Sequence, residues 1–211
     1  MGFSKVVAMG KILTMNPDTS TLAYQLYVEL QWVQPKVWRR LLVPIAIELL
    51  LLHATLLFGM GWQGAATSTM FVVGRERYGP KDMDQNLDLD LDLDLDLDHI
   101  VNEEGVALRE MLGAWKTFIY VYDFGDDWQH KVKIEKIVTL DVPITSSVCI
   151  GGENACPPED VGSPPGSEEF LAAIADPKHR EHRELKKWIG GSFEPTVFNV
   201  AEVNERLSAS E

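Results

Sequence analysis

The sequence predicts an α+β fold, a mostly antiparallel sheet with a central hairpin and helices packed on one face. Three observations carry that expectation. Phe118–Tyr122 mixes aromatic and β-branched residues, Asp123–Asp127 carries turn chemistry, and Trp128–Lys136 alternates again. Tyr24–Trp32 and Val37–Val43 form a second alternating pair around Pro35. Ile45–Met60 is apolar through most of its length and too long for a strand, which makes it a helix.

The elements follow in order. Residues 1–22 show no period, with Asn16–Ser20 as a loop signal, and read as an extension preceding one domain over 23–208. In the first strand Tyr24, Leu26, Val28, Leu30 and Trp32 share a face. In the second, Trp38, Arg40 and Leu42 oppose Val37, Arg39, Leu41 and Val43. Pro44 ends it, and the apolar helix over 45–60 is expected to lie deep against the sheet, stopped by Gly59–Trp62. Met70–Arg75 reads as a third strand, with Arg77–Pro80 as its exit turn.

Residues 81–104 form an acidic low-complexity insert. Leu87–Asp98 is six Leu-Asp repeats. Extended, it would stack every aspartate on one side with nothing nearby to balance them, so a solvated loop is expected. It has neither the glycine nor the bidentate glutamate of an EF-hand calcium loop. Val106–Leu112 is a short helix before the hairpin, whose Gly125 is free to take a positive φ. In the hairpin's second strand Trp128, His130, Val132 and Ile134 oppose Gln129, Lys131, Lys133 and Glu135. Asp141–Ser167 reads as a long loop, and Ser167 as the cap of a helix over Glu168–Ala175. Beyond the Asp176–Pro177 break, His179–Ile189 is a charged amphipathic helix. Phe193 and Phe198 dock on the body, and Asn199 caps a last helix through Leu207.

The chain has 211 residues, 45% of them hydrophobic, enough for one domain with a sizeable core. Its formal charge of −13 is concentrated: residues 81–104 hold ten acids against one lysine, −9, which leaves −4 for the rest. An acidic body argues against nucleic-acid binding, which needs Lys and Arg to neutralise phosphates. The apolar segment over 45–60 contains Glu48 and His53 and falls short of the roughly 20 residues a membrane span needs. Two cysteines do not make a secreted disulfide framework, and no signal-peptide pattern is visible, so a soluble cytoplasmic protein is expected.

Several residues are candidates for chemistry. Trp38, Arg39 and Arg40 form a cationic-aromatic patch suited to a phosphate or carboxylate, although Arg40 pairing with a turn aspartate would make it structural. Tyr122, Asp123, Asp126, Trp128 and His130 surround the central turn. Its aspartates are expected to cap backbone N–H groups rather than act as an acid–base or Mg²⁺ cluster. His130, Cys149, Cys156, Glu159 and Asp160 are the candidate metal ligands, with zinc as the metal, but a Cys-x6-Cys spacing is looser than a zinc knuckle. His53 reads as a core histidine, and His179 and His182 as an exposed helix face. No phosphate loop, dinucleotide fingerprint or nucleophile elbow is present.

Three blocks carry a resemblance: Tyr122-Asp-Phe-Gly-Asp-Asp-Trp-Gln-His130, Pro35-Lys-Val-Trp-Arg-Arg-Leu-Leu-Val-Pro44 and Cys156-Pro-Pro-Glu-Asp-Val-Gly-Ser-Pro-Pro-Gly166. With these blocks in their order along the chain, Pro35–Pro44 first and Cys156–Gly166 last, it resembles the plasmid pRiA4b ORF-3-like family over about Ala23–Leu207. The resemblance implies an origin on plasmids or as an insertion-element passenger. Family members often carry another cysteine where this chain has Val161, and a His-x-His near Thr67–Thr69. If the family holds a metal there, several ligands are missing here. The expectation is therefore a non-catalytic accessory or interaction module binding a protein or small anionic partner. The alternative is a metal-dependent enzyme, such as a hydrolase, using His130, the loop cysteines and the turn carboxylates.

Overall fold

The computed structural model describes residues 19–64, 68–81 and 100–209. Most of the expected N-terminal extension and the whole Leu-Asp repeat lie outside the described residues. Among those described, eight strands form one sheet and five α-helices accompany it. The strands are β1 (Leu22–Leu30), β2 (Trp38–Pro44), β3 (Thr69–Val73), β4 (Glu76–Gly79), β5 (Ile100–Asn102), β6 (Thr117–Tyr122), β7 (Trp128–Thr139) and β8 (Val148–Glu153). The helices are α1 (Leu49–Met60), α2 (Leu108–Leu112), α3 (Ser163–Ala175), α4 (His182–Trp188) and α5 (Val200–Ala209).

The sheet order is β5-β4-β3-β6-β7-β1-β2-β8, which places the β6–β7 hairpin at its centre. Only the β4–β5 pairing is parallel; the others are antiparallel. Strand alternation sorts the side chains onto two faces. One face carries Leu26, Val28, Leu41, Phe71, Tyr120, Tyr122, Trp128 and Val132, and packs with Leu52, Leu56, Leu108, Met111, Val203 and Leu207 of α1, α2 and α5. The other carries a small apolar group, Met70, Val72 and Val121 with Ile119 packed against it, and mostly polar and aromatic side chains across β1, β2 and β7.

Several elements differ from expectation. The run Arg77–Pro80 is mostly strand: a two-residue Gly74–Arg75 turn reverses the chain, with Gly74 at φ 58°. A Cβ at Gly74 would also stand 2.9 Å from the Trp115 ring. β5 occupies the end of the supposed insert. β8, which contains Cys149, interrupts the supposed loop; its Gly151–Gly152 pair disguised it, since glycine is poor in strands. Gly152 is needed there, because a Cβ would meet the Trp38 carbonyl oxygen and the Phe198 ring at 2.7 Å.

α1 starts four residues late because Ile45 N–H donates to Leu22 O, while Ile47 O accepts from Leu108 and Val106 O from Leu49. It is also less deep than expected, with Leu50 and Leu51 exposed. Trp32 leaves the core face, turned out by its positive φ of 58°. α3 begins at Ser163, with Pro in its first turn, where the missing N–H is harmless, so Ser167 is buried inside the helix rather than capping it. α4 is shorter than expected, and His182 Nδ1 lies 2.9 Å from Ala173 O, pinning α4 to α3 instead of facing solvent. Phe193 packs edge-on to Phe170, while Phe198 reaches the main body. Asn199 Oδ1 accepts from Ala201 N–H, the expected cap of α5.

Candidate functional site

The central turn is built by its aspartates. Asp123 Oδ1 accepts from Gly125 N–H at 3.0 Å, and Asp123 O accepts from Asp126 and Asp127 N–H. The left-handed positions are Asp123 (φ 55°) and Asp127 (φ 50°), not Gly125, because short acidic side chains tolerate that region and bond locally. Asp127 accepts both of its bonds from Gln129 Nε2, and burial pushes its carboxyl up. Asp126 accepts from Gly162 N–H at 3.3 Å, tying the turn to the loop before α3.

Tyr122, Trp128 and His130 point into the covered face. Trp62 stacks on Tyr122 at 5.3 Å, tilts on Trp128 at 5.5 Å and meets His130 edge-on at 5.3 Å. Its indole N–H donates to Pro157 O. Glu159 accepts from Tyr122 OH at 2.8 Å and from the N–H groups of Gln63 and Gly64. These contacts lock the loop after β8 onto the end of α1. His130 is fully buried, and burial lowers it to about 4, so it is neutral at pH 7. Its Nδ1 lies 3.3 Å from Tyr120 O, and its Nε2 has no hydrogen-bond partner among the described residues. Tyr120 OH lies 2.6 Å from Nδ1 of His53, the satisfied core histidine expected. Glu103, also buried, is pushed up to about 7 by desolvation, and its Oε2 has no partner among the described residues.

Alternation along β2 divides the Trp38–Arg40 patch. Arg39 turns inward and is buried. Nε donates to Gly59 O at 3.1 Å, Nη1 to Trp38 O and Glu153 O, and Nη2 to Met60 O at 3.5 Å. Phe198 lies 4.5 Å from the guanidinium. Arg39 therefore caps the C-terminal carbonyls of α1, where a cation is favoured.

Trp38 and Arg40 turn outward. Trp38 stacks on Tyr27 at 5.5 Å with planes 27° apart, and Arg40 lies 5.3 and 5.7 Å from the two rings. Arg40 donates two bonds to Glu135, at 2.8 and 2.9 Å, and holds that carboxyl below its usual range. The expected pairing with a turn aspartate is thus replaced by one with β7, whose register brings Glu135 beside Gln25. Trp38 Nε1 donates to Glu153, and Lys36 pairs with Glu29 at 2.7 Å. Lys131 and Lys133 of β7 lie on the same face, exposed, with no close ion pair among the described residues. Tyr27 of β1 and Lys131, Lys133 and Glu135 of β7 belong to this patch too; alternation along each strand is the sequence signal that puts them on its face.

The candidate metal ligands have partners of their own. Cys149 Sγ donates to Gly151 O, while its backbone N–H and O pair with Asn204 at 2.7 and 3.0 Å, which occupies the free edge of β8. Burial pushes both thiols up, Cys156 the more strongly. Asp160, at φ 60°, belongs to the turn before α3. Among the described residues no group of three or more His, Cys, Asp or Glu is placed to hold a metal ion. None of the described helices is long and apolar enough to cross a membrane.

Comparison with known proteins agrees with the three sequence blocks. A family model described as "Plasmid pRiA4b ORF-3-like protein" matches residues 22–202. The uncharacterised protein y4hQ of Sinorhizobium fredii is 34% identical over 187 residues, covering 87% of this chain and 89% of that protein. The crystal structure of MM3350, a protein of unknown function from Methanosarcina mazei Go1, superposes with a TM-score of 0.73 at 28% identity. That match covers 86% of this chain and 97% of the other.

Proposed function

The chain belongs to the plasmid pRiA4b ORF-3-like family, and from that premise we propose that it is a non-catalytic accessory protein of plasmid or mobile-element origin. It binds a protein or small anionic partner on the open face of its sheet, across β7, β1 and β2. One observation carries this reading. Of the residues first singled out, Arg39, Tyr122, Trp128 and His130 are occupied in packing, whereas Trp38 and Arg40 share a face with Tyr27 and with Lys131 and Lys133, which have no ion pair among the described residues. Planar rings with flanking cations suit a ligand that combines a flat group with a phosphate or carboxylate.

Calorimetric titration with phenyl phosphate tests the proposal. Saturable binding is expected, weakened on the order of tenfold by Lys131→Glu/Lys133→Glu and by Trp38→Ala. Equal affinity in these variants, or no binding heat, would remove the open face from consideration. The competing reading is a zinc-dependent hydrolase, favoured by one observation, the unpartnered Nε2 of buried His130. It requires His130, Cys149, Cys156, Glu159 and Asp160 to converge on one ion. Near one equivalent of zinc in protein purified without chelators, with metal-dependent phosphate release from phenyl phosphate, would favour it.

A further inference from the structure

We propose that the groove between α3 and α4 docks a basic, amphipathic peptide segment of a protein partner. The groove encloses about 450 Å³. Its floor is apolar: Phe170 is buried, Leu185 lines the wall, and Trp188 meets Phe170 edge-to-face at 5.9 Å. Trp188 remains 47% exposed, a large aromatic surface left to water on a helix of only seven residues. Phe193 supports the floor from behind, packed at 5.5 Å on Phe170.

The rim is acidic. Asp160, Glu169 and Glu184 line the groove, and none of the three is in an ion pair among the described residues. Glu181, a fourth carboxylate on the lining, is engaged by Arg180 at 3.0 Å. The cations of the same helix, Arg183, Lys186 and Lys187, do not line the groove. The lining therefore offers aromatic and aliphatic surface edged by negative charge alone.

That combination selects the ligand class. A bare divalent cation would use converging oxygens and no apolar floor, and no three carboxylates converge here. An anionic or purely apolar ligand would leave the rim unpaired or meet like charge. A short segment with Leu-type residues on one side and Lys or Arg on the other satisfies both parts, as in helix-in-groove recognition. Charge complementarity fixes the sign: this surface takes a basic partner, whereas the open sheet face takes an anionic one.

Fluorescence anisotropy with a fluorescein-labelled amphipathic Lys–Leu peptide tests the assignment on the full chain. Saturable binding is expected, weakened on the order of tenfold in Glu169→Lys/Glu184→Lys, because like charges now meet across the groove. A control, Asp141→Lys/Glu205→Lys, makes the same charge change at exposed positions outside the groove and is expected to bind as the unmodified protein does. A Lys–Ser peptide of equal charge is expected to bind much more weakly, because it cannot cover Phe170, Leu185 and Trp188. Equal weakening in both variants would reduce the effect to overall acidity and overturn the proposal. So would equal binding of the two peptides, unchanged affinity in the groove variant, or no binding of the Lys–Leu peptide.

Discussion

Arg39 and Arg40 are neighbours in the chain and live on opposite faces of the sheet. On the covered face, Arg39 is spent on four carbonyl oxygens and the Phe198 ring, while His130, Tyr122 and Trp128 complete the packing around Trp62. On the open face, Arg40 lies over Tyr27 and Trp38 at the surface, one ion pair deep. The same residue type one position apart is structural in one case and accessible in the other. A pleated strand makes that distinction with a single step, so polar residues clustered in sequence are not one site.

The comparison breaks most readily at Arg39. Arg39→Met strands the carbonyls of Gly59 and Glu153 without a donor and should cost about 3 kcal/mol or more, read as a drop in the urea midpoint. Arg39→Lys should recover little, since an ammonium cannot reproduce the guanidinium fork.

The next effect is pH dependence, which should come mainly from the covered face, since the open-face Glu135 is partly exposed and its contribution is screened. His130 is lowered from 6.5 to about 4, so the stability it contributes is present above about 6.5 and is lost as pH falls toward 4. The slope is up to about 1.4 kcal/mol per pH unit. Glu103 is raised from 4.5 to about 7, so its contribution has the opposite sign, present below 4.5 and lost as pH rises through 7. The two oppose each other across the window they share. Glu103→Gln should therefore steepen the loss of stability on acidification, and His130→Gln should leave a protein that weakens as pH rises from 4.5 to 7. Urea midpoints followed across pH decide this; parallel curves for all three proteins would contradict the assigned burial.

On the open face the effects on stability shrink. Arg40→Ala removes a partly exposed ion pair worth up to about 1 kcal/mol, and it should weaken phenyl phosphate binding by disturbing the Tyr27–Trp38 stack. Lys131→Glu/Lys133→Glu should change stability by no more than about 0.5 kcal/mol, with its effect confined to binding.

Much of the fold was legible in the sequence, because the central hairpin, β1, β2 and α1 carry strong periodic or apolar patterns. β4 and β8 were hidden by Gly79–Pro80 and Gly151–Gly152, where glycine and proline signal a turn. At Gly152 the glycine instead admits the Trp38 carbonyl and Phe198 to close range. The site was legible only in part. The alternation of Trp38, Arg39 and Arg40 was visible, but which side the helices cover is a tertiary fact. Glu135 joins Arg40 through the β1–β7 register, including a bulge between Gln25 and Leu26 that no sequence pattern marks.

The most direct test of the division between the faces is a two-dimensional NMR titration of the tryptophan indole N–H signals with phenyl phosphate. Trp38 should shift progressively and saturate, while Trp62 and Trp128, buried in the core, should hold their positions. Movement of Trp62 or Trp128 with Trp38 unchanged would place recognition at the buried cluster and contradict the account.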